Sequence, residues 1–359
     1  MKAWFLLLRP WSYTATLVPF LAVAGLCRGR WSVCCWSSWG LGLFAGLCLQ
    51  ATVNLLNTWG DERSGVDDVP GAIRTTPQVH DGLVSMRAVL AAAVAAAVLG
   101  VLAGAAACVY VAANTPERVA LGGGWHLNVP ALTAGALGIL GATNYSTGVK
   151  FKYRGLGVPF VSALMGPIEM FAALALASPQ FAAWLFWGML GCDVNSASFL
   201  AKGYDGIPFD WVFKMAIMFF FFLWTFPVAS LVGVIMHGND MRDISSDRAA
   251  GIVTFASRLG PRGALVYYCA AHIAPYVVCV LLSLLVAWVM ENSRWSWAVF
   301  LIPFLCLPLT VRTLCTACRV YAQNPTAPPW RGLERASGLV HLVFGVLYAA
   351  SWASLASIR

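Results

Sequence analysis

Two acidic clusters carry the chemistry that this sequence can do, and each follows a long apolar run. The first is Asn54-Leu55-Leu56-Asn57-Thr58-Trp59-Gly60-Asp61-Glu62-Arg63-Ser64-Gly65-Val66-Asp67-Asp68. The second is His237-Gly238-Asn239-Asp240-Met241-Arg242-Asp243-Ile244-Ser245-Ser246-Asp247-Arg248. Helical positions four apart share a face, so Asn239, Asp243 and Asp247 form one polar stripe and Asn57 with Asp61 forms another. Gly65 lets the chain turn, which would fold Asp67 back toward Asp61. Either cluster alone reads as the solvated end of a helix. Two such stripes change the reading, because carboxylates held together at a membrane boundary repel unless a cation sits between them.

Hard oxygen ligands of this kind suit Mg²⁺, which tends to share its shell with substrate phosphates. The pattern nominates Asp61, Asp67, Asp243 and Asp247 as metal ligands. Arg74, Lys150, Lys152, Arg154 and Arg258 are the basic residues that could take up the remaining phosphate charge. A metal-bound diphosphate that faces an apolar helix bundle implies an isoprenoid diphosphate.

The elements that must position these residues follow from composition. The chain has 359 residues, of which 60% are hydrophobic and 11% charged, and its mean hydropathy is +0.74. A soluble domain carries about 25% charged residues, so this is an integral membrane protein with the lipid bilayer as its solvent. Disorder, collagen and a secreted disulfide scaffold are excluded, and no nucleic-acid partner is expected. Apolar runs fall at about 11–27, 33–58, 83–113, 126–148, 158–177, 211–238, 263–290, 295–318 and 333–356. They predict a single all-α domain over residues 1–359, a polytopic bundle of nine transmembrane helices. Residues 179–202 are also apolar and Trp-rich, and are expected to lie at the interface or re-enter rather than cross.

The 23 basic residues test this count, since Lys and Arg mark cytoplasmic loops. With nine spans, 16 fall on one side and 7 on the other, which orients the chain N-terminus in and C-terminus out. Lys2 and Arg9 precede an apolar stretch that could pass for a signal peptide, but no small-residue cleavage site with a soluble mature chain follows. The eleven cysteines lie mostly in apolar runs and read as small core residues, Cys315 and Cys318 included. Glu169 is the one acid inside an expected span; it reads either as a base toward an aromatic hydroxyl or as a hydrogen-bonded structural residue.

At the paired Asp motifs the chain resembles the UbiA superfamily of intramembrane aromatic prenyltransferases, whose two Asp-rich motifs end spans two and six of nine. Three blocks carry the likeness to its menaquinone branch: Leu56 through Asp67, Tyr145 through Gly157, and Asn239 through Thr254. Gly65 stands where the second Asp of the common first motif would be, and Asp67 comes two residues later. That spacing resembles the menaquinone branch. Lys150 and Lys152 stand five and seven residues after Tyr145, where some members have Tyr-x3-Lys.

The resemblance implies Mg²⁺-dependent transfer of a polyprenyl group from an isoprenoid diphosphate, geranylgeranyl or longer, to an aromatic quinol acceptor of the 1,4-naphthoquinol type. It implies Asp61, Asp67, Asp243, Asp247, Asn57 and Tyr145 in catalysis, and Asn239, Asn144, Arg74, Lys150, Lys152, Arg154 and Arg258 in substrate binding. Another acceptor, 4-hydroxybenzoate or homogentisate, is the alternative within the same chemistry. A sterol-pathway regulatory membrane protein is the alternative of another class, and a homodimer or a reductase partner enters with the same resemblance. The expected location is the endoplasmic reticulum or Golgi in a eukaryote and the plasma membrane in a prokaryote.

Overall fold

The structure, a computed structural model, describes residues 2–28, 35–64, 77–114, 128–145, 148–179, 181, 182, 185, 186, 211–249, 251–289 and 296–357. Among these residues the chain is almost wholly helical. Eight helices are long and apolar enough to cross a membrane, and Val129–Asn144 adds a shorter apolar one. The nine fall in the expected order: α1 (Thr14–Cys27), α2 (Trp36–Ser64), α3 (Met86–Asn114), α4 (Val129–Asn144), α5 (Gly157–Ala177), α6 (Trp211–Arg242), α7 (Phe255–Val289), α8 (Leu307–Gln323) and α9 (Leu333–Ser357). The interfacial segment expected over 179–202 lies outside the described residues for all but its first few positions.

Several helices depart from regularity, each at an identifiable residue. α1 is preceded by a helix over Lys2–Leu8, and Arg9, at φ 50°, breaks the two apart before the 3₁₀ turn Pro10–Tyr13. α5 contains a π turn over Leu164–Ile168 that includes Pro167, which removes a backbone donor and opens the ladder. α7 starts eight residues earlier than its apolar run because the chain kinks at Gly260, at φ 67°, just before Pro261. The span that ends in α8 begins as a 3₁₀ helix, Ser296–Cys306.

Large apolar side chains cover the outside of the bundle: Val109 is 68% exposed, Phe219 69% and Leu305 74%. In water such a surface would aggregate; in lipid it is the required one. Helix association there cannot rely on hydrophobic exclusion, so small residues bring backbones together. Gly25 packs against the Ala349 carbonyl and Gly345 against the Val18 side chain, which locks α1 onto α9. Buried polar pairs add to this: Tyr268 Oη and Ser337 Oγ lie 2.7 Å apart between α7 and α9, and Tyr348 Oη donates to the Trp224 carbonyl at 2.9 Å.

The bundle is not filled throughout. A cavity of about 470 Å³ lies among α1 to α6. At one end it meets Arg9, Asn57, Tyr145 and Asn239, and its walls down the bundle are Gly, Ala, Leu and Ile side chains.

Candidate active site

Both acidic clusters arrive at the same end of the bundle because α2 and α6 end there. Asp61 is 5% exposed near the end of α2. The loop between α4 and α5 reaches over to it: Lys152 Nζ donates to Asp61 Oδ1 at 2.8 Å and to Asn57 Oδ1 at 3.0 Å, and Tyr153 Oη donates to Asp61 Oδ1 at 2.6 Å. The loop holds this pose through its own backbone, with the Lys152 N–H on the Tyr145 carbonyl at 3.0 Å and Phe151 stacked on Phe160 at 4.2 Å. Burial opposes the charge on Lys152, but Asp61 and Tyr153 outweigh it and hold the ammonium's pKa above its ordinary value.

The second cluster keeps helical spacing past the end of α6. The Asp243 N–H bonds the Asn239 carbonyl at 3.2 Å, and the Asp247 N–H bonds the Asp243 carbonyl at 2.8 Å, so the predicted stripe exists as backbone geometry. Arg242 grips Asp243 through two bonds of 2.8 and 2.7 Å and reaches Glu334 on α9 at 3.4 Å. Asp247 is buried and accepts from Thr254 Oγ1 at 3.1 Å. Its carboxyl is pushed up to about 7 by burial and then by the neighbouring Asp243, with Lys152 pulling the other way. Asp61 also lies within its electrostatic range, so the two clusters face one another.

The structure adds two residues that the sequence left unassigned. Arg9 lines the cavity mouth within the fields of Asp61, Asp243, Arg242 and Tyr145. Asn54 fixes it there by donating to the Leu8 carbonyl at 2.7 Å and to Ser12 Oγ at 2.8 Å, on either side of the break. Asp240, 3% exposed, lies in the fields of Asp247, Lys152 and Asp243. With Asp243 and Asp247 it makes an i, i+3, i+7 face, a signal present in the sequence, whereas an Arg before a Pro reads only as a topology charge.

Other nominated residues sit farther from this centre. Tyr145 is buried at the cavity mouth with its hydroxyl 2.9 Å from Met236 Sδ. Burial first, then Asp240 and Asp61, raises its phenol well above the ordinary value, so it stays an O–H group. The Asn144 amide is used locally, accepting from the Val149 N–H at 3.2 Å and donating to the Leu140 carbonyl at 2.9 Å. Lys150 and Arg154 are exposed. Arg258, also exposed, donates to the Arg154 carbonyl at 2.7 Å, beside the backbone bridge between Arg154 and Val253. It thereby staples the loop that carries Lys152 to the segment that follows Asp247. Asp67 and Arg74 lie outside the described residues.

Among the described residues no three acidic, His or Cys side chains form a ready-made metal cage. The donor set nevertheless suits a hard cation. Asp61 and Asp243 are each matched by a cationic side chain, while Asp247 answers its like-charged neighbours by holding a proton to about pH 7. A divalent ion with oxygen ligands would replace that proton.

An all-helical membrane bundle with a charged cap over an apolar cavity defines a class of intramembrane proteins that handle a polar head with a lipid tail. The chain belongs to the UbiA prenyltransferase family, whose model matches residues 13–327. It is 25% identical over 356 residues to the UbiA prenyltransferase domain-containing protein 1 homolog of Drosophila melanogaster, covering 98% of this chain and 79% of that protein. To UbiA prenyltransferase domain-containing protein 1 of Mus musculus it is 27% identical over 289 residues, 78% of this chain and 68% of the other. Its fold is that of a UbiA homolog from Archaeoglobus fulgidus solved with GPP and Mg²⁺, at a TM-score of 0.54 and 14% identity over 98% of this chain and 99% of that one. An apo UbiA homolog from Aeropyrum pernix K1 gives 0.54 at 15% identity over 93% and 96%.

Proposed function

We propose that this enzyme transfers a prenyl group from an isoprenoid diphosphate to an aromatic quinol of the 1,4-naphthoquinol type, with Mg²⁺ as cofactor. The observation that carries this reading is the Asp61–Lys152 pair at the mouth of the 470 Å³ apolar cavity. A diphosphate would rest among the carboxylates and cations while its hydrocarbon tail runs down between α2, α4 and α5. The Archaeoglobus fulgidus homologue, solved with GPP and Mg²⁺ and with DMAPP and Mg²⁺, supports the same placement of head and tail.

Each residue then has a task. Asp61, Asp243 and Asp247 would hold Mg²⁺, which when bound withdraws charge from the leaving diphosphate. Asp67, from its place in the sequence, would complete the first motif. Asn57 and Asn239, on facing helices of the cavity mouth, offer oxygens and N–H donors to phosphate. Lys152 and Arg9 neutralise negative charge as the allylic carbon–oxygen bond breaks. Tyr145 presents a ring to the allylic cation and an O–H to the acceptor or the leaving oxygen. The apolar walls exclude the water that would quench the cation.

The acceptor assignment rests on the Leu56-to-Asp67 and Tyr145-to-Gly157 blocks and their likeness to the menaquinone branch. The test offers purified enzyme menadiol, 1,4-dihydroxy-2-naphthoate, homogentisate and 4-hydroxybenzoate with one prenyl diphosphate and compares kcat/KM. The naphthoquinols should lead. A preference for 4-hydroxybenzoate would keep the Asp chemistry and overturn the acceptor.

A further inference from the structure

Glu169 is an acid for which the chemistry above has no use. It follows the π turn Leu164–Ile168, and the extra residue in such a turn shifts the register of what comes after it. Glu169 thereby lines the cavity opposite Gly46 of α2. A Cβ placed on Gly46 would stand 3.3 Å from Glu169 Oε1 and 2.8 Å from Thr16 Cγ2. Glu169 Oε2 and Thr16 Oγ1 are both buried, and neither has a hydrogen-bond partner among the described residues.

Depth decides what this carboxyl can do. Gly46 and Asn57 lie eleven residues apart on one helix, about 16 Å at the α-helical rise. Glu169 is therefore too far from Asp61 to act on the bond that breaks beside the diphosphate or on a ring that attacks there. The cavity does not end at Glu169, since Gly42 and Leu176 line it beyond that level. Four extended carbon–carbon bonds of ~1.5 Å project to about 5 Å, so roughly three isoprene units span the distance from mouth to carboxyl.

We propose that Glu169, with Thr16 beside it, sets the chain length of the prenyl donor. This rests on reading the cavity as the prenyl slot. A tail of up to three units gains apolar contact with every unit added. A fourth or fifth unit must slide over the carboxyl, displace the water that two adjacent polar groups can hold there, and leave their oxygens covered without a partner. The carboxyl is thus a polar mark on an apolar wall, and tails that reach past it lose what their extra length would gain.

The experiment measures binding of geranyl, farnesyl, geranylgeranyl and five-unit isoprenoid diphosphates to purified full-length protein in saturating Mg²⁺, without acceptor. In the wild type, affinity should rise from two to three units and then level or fall. Glu169→Leu should improve the Kd of the five-unit donor relative to farnesyl by about tenfold, while Glu169→Gln, which keeps the wall polar, should leave that ratio within about twofold. Should Glu169→Leu fail to fold, Gly46→Ala tests the same level from the other side. Its methyl narrows the slot and should weaken four- and five-unit donors about tenfold relative to farnesyl. An unchanged ratio in the variants that fold overturns the proposal and leaves the function intact. Mg²⁺-dependent binding of no diphosphate at all would instead remove the reading on which the proposal rests.

Discussion

Lys152 and Asp61 meet at 2.8 Å across 91 residues of chain, and both are largely buried where they meet. This pair joins the loop after α4 to the end of α2 and keeps a cation beside the carboxylate before any substrate arrives. Removing one partner strands the other in a site with little water, which costs about 3 kcal/mol. Lys152→Met and Asp61→Asn should each lower the Tm of the purified protein, and the double variant should lose less than the sum. Additive losses would mean that the contact is incidental. In turnover, Asp61→Ala should cost on the order of 10³-fold, because charge on the leaving diphosphate goes unanswered.

Tyr145 separates two contributions that one side chain makes. Its ring remains in Tyr145→Phe while the hydroxyl that contacts Met236 is lost, so that variant should reveal the value of the O–H alone. Tyr145→Leu also removes the ring, and with it a cation–π attraction of about 1–2 kcal/mol toward the allylic cation. The expected order of kcat is wild type, Phe, Leu, with about tenfold between the last two. Equal kcat for Phe and Leu would remove the ring from the mechanism.

The fold and the acidic stripes were legible because both are periodic. Apolar run length counts spans, and the spacing of Asn239, Asp243 and Asp247 survives as consecutive helical hydrogen bonds. Arg9 was not legible: its part depends on a left-handed residue at a helix break and on Asn54 pinning that break from another helix. The choice among the basic residues after Tyr145 was equally hidden. Lys150 and Lys152 are alike in sequence, yet Lys150 adopts φ 59° at an exposed turn while Lys152 points into Asp61. The depth of Glu169 was beyond sequence because a π turn sets the register of α5.

Topology follows from the two acidic ends sharing one site. Single cysteines at Ser64 and Ser246, in a cysteine-depleted background, should both react with an impermeant reagent from the cytosolic side, while Asn292→Cys should react from the opposite side. Ser64 and Ser246 labelling from different faces would dismantle the shared site, since Asp61 and Asp247 could not then lie within each other's field.

Asp247 gives the site a pH dependence whose sign can be worked out. Its carboxyl titrates at about 7 in the folded protein, raised by burial and by Asp243, against about 3.9 in an unfolded chain. Between those values the folded form holds the extra proton, so this group stabilises the metal-free protein in acid and the contribution is lost as pH rises through 7. Mg²⁺ must displace that proton, and its apparent affinity should therefore rise about tenfold per pH unit below 7 and flatten above 8. The measurement is the Mg²⁺ midpoint for prenyl diphosphate binding between pH 5.5 and 8.5. Asp247→Asn should weaken Mg²⁺ at pH 8 and flatten the profile, because the titrating group is gone. A wild-type profile already flat from pH 6 to 8 would place the cation away from Asp247 and shift the metal site toward Asp61 and Asp243.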